Sequence, residues 1–113
     1  MFSQTFLNDQ DRKEERKYWK KQLLKNRRMG VTKAVKGVIN RKGVFEELSN
    51  IIAPTLILIG DEDVATPSKY SNRIHSAIPN SKLVTVPRAG HSSTIEEPDV
   101  INNEIKSFLQ ELK

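Results

Sequence analysis

The chain has 113 residues, 36% of them hydrophobic and 29% charged, with no cysteine and a net charge of +5. This is material for one modest domain or for part of a larger one. It excludes disulfides and thiolate metal sites, and no apolar run approaches the length of a membrane span.

The charge is uneven. Residues 11–42 hold 13 Lys/Arg against 3 Asp/Glu, and the remaining residues hold 6 against 11. A basic block of this kind attracts phosphates or forms a solvated helix face. It carries no recognised nucleic-acid motif and little aromatic interleaving beyond Tyr18 and Trp19, so nucleic acid is not an expected partner. Met1–Gln10 lacks the basic start and apolar stretch of a secretory signal. With the absence of cysteine, this makes a cytoplasmic location the expectation.

In chain order, Asn8 or Asp9 is placed to cap a first helix reaching about Arg28, with Asp9–Lys13 and Glu14–Lys17 spaced for ion pairs. Trp19 and Leu23 share a face of it. Gly30 is expected to break the pattern, Thr32–Asn40 to form a second helix, and Val44–Leu48 a short third one. The character then changes near Asn50–Pro54. "TLILIG", 55–60, is a continuous aliphatic run of the kind found in strands covered on both faces. Thr66 offers an N-cap and Pro67 a first helical position. Tyr70, Ile74, Ala77 and Ile78 lie on one stripe of the helix that follows. "KLVTVP", 82–87, reads as a second strand near a sheet edge. Pro98 opens a last helix with Ile101, Ile105, Phe108, Leu109 and Leu112 on one face.

The second part is therefore an α/β strand–helix–strand–helix unit with a parallel pair. Two parallel strands are not stable alone, so something is expected to lie alongside strand 55–60. Catalytic groups in such sheets gather at the carboxyl ends of the strands. One strand ends in Gly60-Asp61-Glu62-Asp63 and the other in Val86-Pro87-Arg88-Ala89-Gly90-His91. A carboxylate and an imidazole leave the same edge, the arrangement in which an acid orients a histidine as a base. Read singly, Asp63 is a turn residue ahead of Thr66, Asp61 and Glu62 are solvated loop charges, and His75 is a surface residue.

From about Ile52 to Leu109 the sequence resembles the C-terminal part of an α/β-hydrolase. The phrases that carry the resemblance are "APTLILIGDEDVATP", "AIPNSKLVTVPRAGHSS" and "EEPDVINNEIKSFL". The resemblance implies a partial α/β-hydrolase fold. It makes Asp63 the acid and His91 the base of a Ser-His-Asp triad. It also makes residues 1–50 the end of a helical cap and 51–113 the C-terminal part of the core. The branch resembled is that of enol-lactonases and related esterases. No Gly-x-Ser-x-Gly elbow is present, and the glycines at 30, 37, 43, 60 and 90 bracket no serine in that pattern. Ser92, Ser93, Ser68 and Ser71 are poorly placed as substitutes. The sequence thus resembles roughly the last two fifths of a hydrolase, beginning part-way through the cap. The expectation is acid and base without a nucleophile, inactive alone, with no metal and no cofactor. Its expected partner is the missing N-terminal half or, alternatively, a second copy joined through strand 55–60. A small ester or lactone is expected as substrate only once the nucleophile is supplied. A basic binding module in residues 12–42 is the third alternative.

Overall fold

The computed structural model describes residues 1–113. The chain divides into two compact units, Met1–Asn8 with Phe45–Lys113, and Asp9–Val44. This differs from a division at residue 50, because backbone and side-chain hydrogen bonds join the first residues to the loops around 62, 88 and 96.

In the larger unit, strand β1 (Thr55–Gly60) pairs in parallel with β2 (Ser81–Val86), from Thr55 opposite Ser81 to Gly60 opposite Val86. The aliphatic run forms the predicted strand. The sheet has these two strands only, and Thr55–Leu58 are half-buried rather than enclosed. Helix α4 (Ser68–Ala77) packs on both strands, and α6 (Pro98–Glu111) packs on β1. Two shorter helices, α1 (Gln4–Asn8) and α5 (Ser93–Glu96), and a 3-10 turn at Phe45–Asn50 complete the unit. That turn stands where a short helix was predicted. Arg73 stacks its guanidinium 3.8 Å from the centre of the Phe45 ring.

Val86, Ala89 and Ile101 form the core cluster, with Leu58 and Val100 against it. The α6 stripe is as regular as its spacing predicts, yet only Ile101 is buried; Ile105, Leu109 and Leu112 remain exposed. The α4 stripe behaves alike: Ile78, just past its end, is buried while Tyr70 is exposed. Periodicity identifies the apolar face of a helix but not what covers it.

The smaller unit holds a 3-10 turn, Gln10–Arg12, then α2 (Lys13–Leu24) and α3 (Arg28–Asn40). Neither helix contains a buried residue. Asp9 caps the 3-10 turn through Asp11 N–H rather than opening a long helix. Of the two spaced pairs, Lys17 meets Glu14 at 2.6 Å, while the 2.8 Å pair nearer the start is Arg12 with Glu15. The break between the helices falls at 25–27 and not at Gly30. Lys25 and Asn26 donate backbone N–H groups to Gln22 and Leu23, and the Asn26 amide also bonds the Leu23 carbonyl. That closes α2 earlier than expected. Gly30 lies inside α3, where a glycine costs about 1 kcal/mol and is tolerated. No helix is long and apolar enough to cross a membrane.

Candidate active site

The strands end level, Gly60 opposite Val86, and the chain continues to pair beyond them. Asp61 N–H bonds the Val86 carbonyl at 3.0 Å, and Glu62 N–H bonds the Ala89 carbonyl at 2.9 Å. The two loops therefore run against each other. At their closest, a Cβ built on Gly60 would lie 2.1 Å from the Ala89 carbonyl oxygen. Only glycine permits that approach.

This stitching brings Asp63 and His91 together. Asp63 Oδ2 lies 2.9 Å from His91 Nδ1. The Asp63 side chain is 5% exposed and that of His91 46%. Asp63 also does what a turn residue does. Its Oδ1 accepts N–H bonds from Ala65 and Thr66, both at 2.9 Å. Thr66 Oγ1 donates to Oδ2 at 2.8 Å and stands 3.1 Å from His91 Nδ1. Burial of the carboxyl acts to raise its pKa. The Thr66 N–H, the His91 ring and the Thr66 hydroxyl outweigh it and bring the pKa from 3.8 to about 2. Asp63 is thus ionised at neutral pH and can only accept, so a neutral His91 ring carries its proton on Nδ1 and presents a lone pair at Nε2. That is the state in which an imidazole removes a proton from a nucleophile.

Thr66 does not cap α4. Pro67 occupies the cap position with no side-chain cap bond, and the Thr66 hydroxyl is committed to the acid. Sequence reasoning assigned Thr66 to the helix. The Asp-x-x-Thr spacing of a side-chain turn was the available signal for its other role.

Sequence reasoning also missed the frame that holds His91. His91 N–H bonds the Met1 carbonyl at 2.9 Å. The fully buried Glu96 accepts N–H bonds from Ser3 and Gly90 on one oxygen, at 2.7 and 3.1 Å. Ser3 Oγ donates to the Arg88 carbonyl at 3.0 Å. Glu62, expected as a solvated charge, accepts from both the hydroxyl and the N–H of Thr5. Those bonds, the hydroxyl first, hold its carboxyl below the usual carboxylate range. Arg88 sits at φ 63°, a left-handed conformation uncommon outside glycine, two residues before Gly90. Asp61 is exposed, and so is His75, whose Nδ1 lies 2.8 Å from Ser81 Oγ at the other end of the sheet.

The chain is similar to known proteins over most of its length. The family described as TAP-like protein (Abhydrolase_4) matches residues 17–113. The putative non-heme bromoperoxidase BpoC of Mycobacterium tuberculosis is 33% identical over 64 residues, which cover 57% of this chain and 24% of that protein. The putative carbamate hydrolase RutD of Pseudomonas syringae is 35% identical over 66 residues, 58% of this chain and 26% of its own. Among solved structures, MGS-M2, an alpha/beta hydrolase enzyme from a Medee basin deep-sea metagenome library, superposes with a TM-score of 0.77 at 27% identity. That match covers 96% of this chain and 40% of MGS-M2. The chain spans about a quarter of the length of the curated relatives it matches. By the family match over most of its length and by its two parallel strands with their helices, the chain belongs to the α/β-hydrolase superfamily and corresponds to the C-terminal part of that fold.

Proposed function

We propose that this chain supplies the acid and the base of a serine hydrolase acting on esters or lactones, and that it works only with a nucleophile contributed by other polypeptide. The observation that carries the reading is the 2.9 Å contact between Asp63 Oδ2 and His91 Nδ1 beyond the ends of adjacent parallel strands. In this reading the serine hydroxyl gives its proton to His91 Nε2 while Oγ bonds to the carbonyl carbon. The resulting imidazolium is stabilised by Asp63 and returns the proton to the leaving alcohol. Water then repeats the sequence on the acyl-enzyme. The helical unit Asp9–Val44 belongs to the cap, and the half-buried β1 and the exposed α6 stripe fit surfaces made for the rest of a hydrolase core.

The experiment is complementation. The chain is co-expressed with the portion of MGS-M2 that it does not match, and hydrolysis of a p-nitrophenyl ester is followed. Activity is expected from the pair and not from this chain alone. It should fall by about 10³-fold or more with His91→Ala or Asp63→Asn. Turnover by the isolated chain that His91→Ala abolishes would overturn the dependence on an outside nucleophile. Complemented activity indifferent to His91 would overturn the site.

A second reading concerns the isolated chain. A two-stranded sheet with a bare β1 edge offers unpaired backbone groups to a second copy. Light scattering at micromolar concentration is expected to give a dimer mass, and a sharp monomer would end this reading.

A further inference from the structure

Three polar atoms meet beside the imidazole. Thr66 Oγ1 is 2.8 Å from Asp63 Oδ2, His91 Nδ1 is 2.9 Å from the same oxygen, and Thr66 Oγ1 is 3.1 Å from His91 Nδ1. A hydroxyl has one proton and two lone pairs, and an ionised carboxylate has lone pairs only. The single Thr66 proton therefore points at Asp63, and the side of the hydroxyl turned to the ring is a lone pair. Both neighbours of Nδ1 are acceptors, so the ring is satisfied there only as Nδ1–H. In the other tautomer the hydroxyl proton could turn to Nδ1. The Thr66–Asp63 bond would then be lost, and the carboxylate would face the ring nitrogen lone pair to lone pair.

The His91 side chain is 46% exposed, so water competes for the ring and a single carboxylate bond selects less firmly than it would in a dry site. The helix makes no competing demand on the hydroxyl, since α4 begins without a side-chain cap bond.

We infer that Thr66 is a positioning residue for His91: its hydroxyl, turned by Asp63, fixes the neutral imidazole as the Nδ1–H tautomer, with the lone pair on Nε2. The consequence for catalysis rests on the base role proposed for His91, whereas the tautomer itself does not.

The test uses the full chain with 15N-labelled histidine and long-range 1H–15N correlation at alkaline pH. His75 is the one other histidine and serves as an internal reference. Wild type is expected to show a protonated Nδ1 and a bare Nε2 at His91. Thr66→Val should shift the tautomer ratio about fivefold toward Nε2–H, the worth of one ordinary hydrogen bond. Thr66→Ser should keep the wild-type ratio, and His75 should not respond to either. Thr66→Ala lacks both hydroxyl and branch and is expected to match valine, so a folding defect in one variant does not decide the result. An unchanged ratio in the valine and alanine variants overturns the inference. A serine variant that shifts as far as valine overturns it too, because the hydroxyl would not be the agent. Failure of complementation would count against the hydrolase reading and leave the tautomer measurement standing.

Discussion

Asp63 collects four hydrogen bonds on two oxygens, from two backbone N–H groups, a hydroxyl and a ring N–H. Its carboxyl titrates near 3.8 when unfolded and at about 2 when folded. The depressed value stabilises the folded chain by about 2 kcal/mol wherever the group is ionised in both states. That contribution is complete above about pH 5 and fades as pH falls through 4 toward 2. The urea midpoint of the wild type is therefore expected to approach that of Asp63→Asn as pH falls from 5 to 2. A gap that stays constant would contradict the shift. At Arg88 the left-handed backbone costs a side chain about 1–2 kcal/mol. Its ion pair with Glu97, at 3.4 Å and with the arginine side chain exposed, returns little. Arg88→Gly is expected to raise stability by about 0.5–1 kcal/mol in urea unfolding, after the entropy of the added glycine is subtracted. At this scale the Asp63–His91 pair was legible, because parallel strands in register turn short offsets past each end into proximity. Thr66 was not. A threonine before a proline is equally the mark of a helix cap, and the loop closure that redirects its hydroxyl is not a local property. Nor does a loop carboxylate such as Glu62 announce a partner 57 residues away.

The strands were readable as elements because a run such as 55–60 satisfies no helical stripe and ends in glycine. The reason for that glycine appears only in three dimensions. A Cβ on Gly60 would lie 2.1 Å from the Ala89 oxygen and 2.6 Å from the Gly90 oxygen, both backbone atoms that cannot swing aside. Gly60→Ala must push apart the two loops that bring Asp63 to His91. It is expected to cost about 3 kcal/mol in urea unfolding. It should also weaken the Asp63 interaction, seen as a higher titration midpoint for that carboxyl. A variant with wild-type stability would show that the loops separate freely. The helix starts were less readable. The first predicted helix, capped at Asn8 or Asp9, opens instead with a 3-10 turn ahead of α2, because Asp9 accepts the N–H two residues on. The second starts earlier than predicted because Gly30 is tolerated within its first turn.

Over the whole molecule, burial is concentrated in one unit. Every residue from 23 to 44 is exposed, so α3 has no covered face, whereas α2 keeps Glu15, Arg16, Trp19 and Gln22 half-buried. Helices without a covered face are close to their own unfolding equilibrium. This stretch is also rich in lysine and arginine. Brief trypsin treatment is expected to cut first between residues 25 and 42, and to leave a fragment containing Phe45–Lys113 for longer. Early cleavage at Lys82 or Lys106 instead would place the weak point in the sheet unit. The regular stripes on α4 and α6 were legible as apolar faces, yet their exposure was not, because a sequence records that a face is apolar without recording its neighbour.

The Met1 carbonyl is bonded to the His91 N–H, and Ser3 is pinned by Glu96. Anything fused ahead of Met1 therefore joins the chain at a residue whose backbone holds His91. A purification handle attached after Lys113 leaves that contact untouched and is the cleaner choice for every assay of this chain.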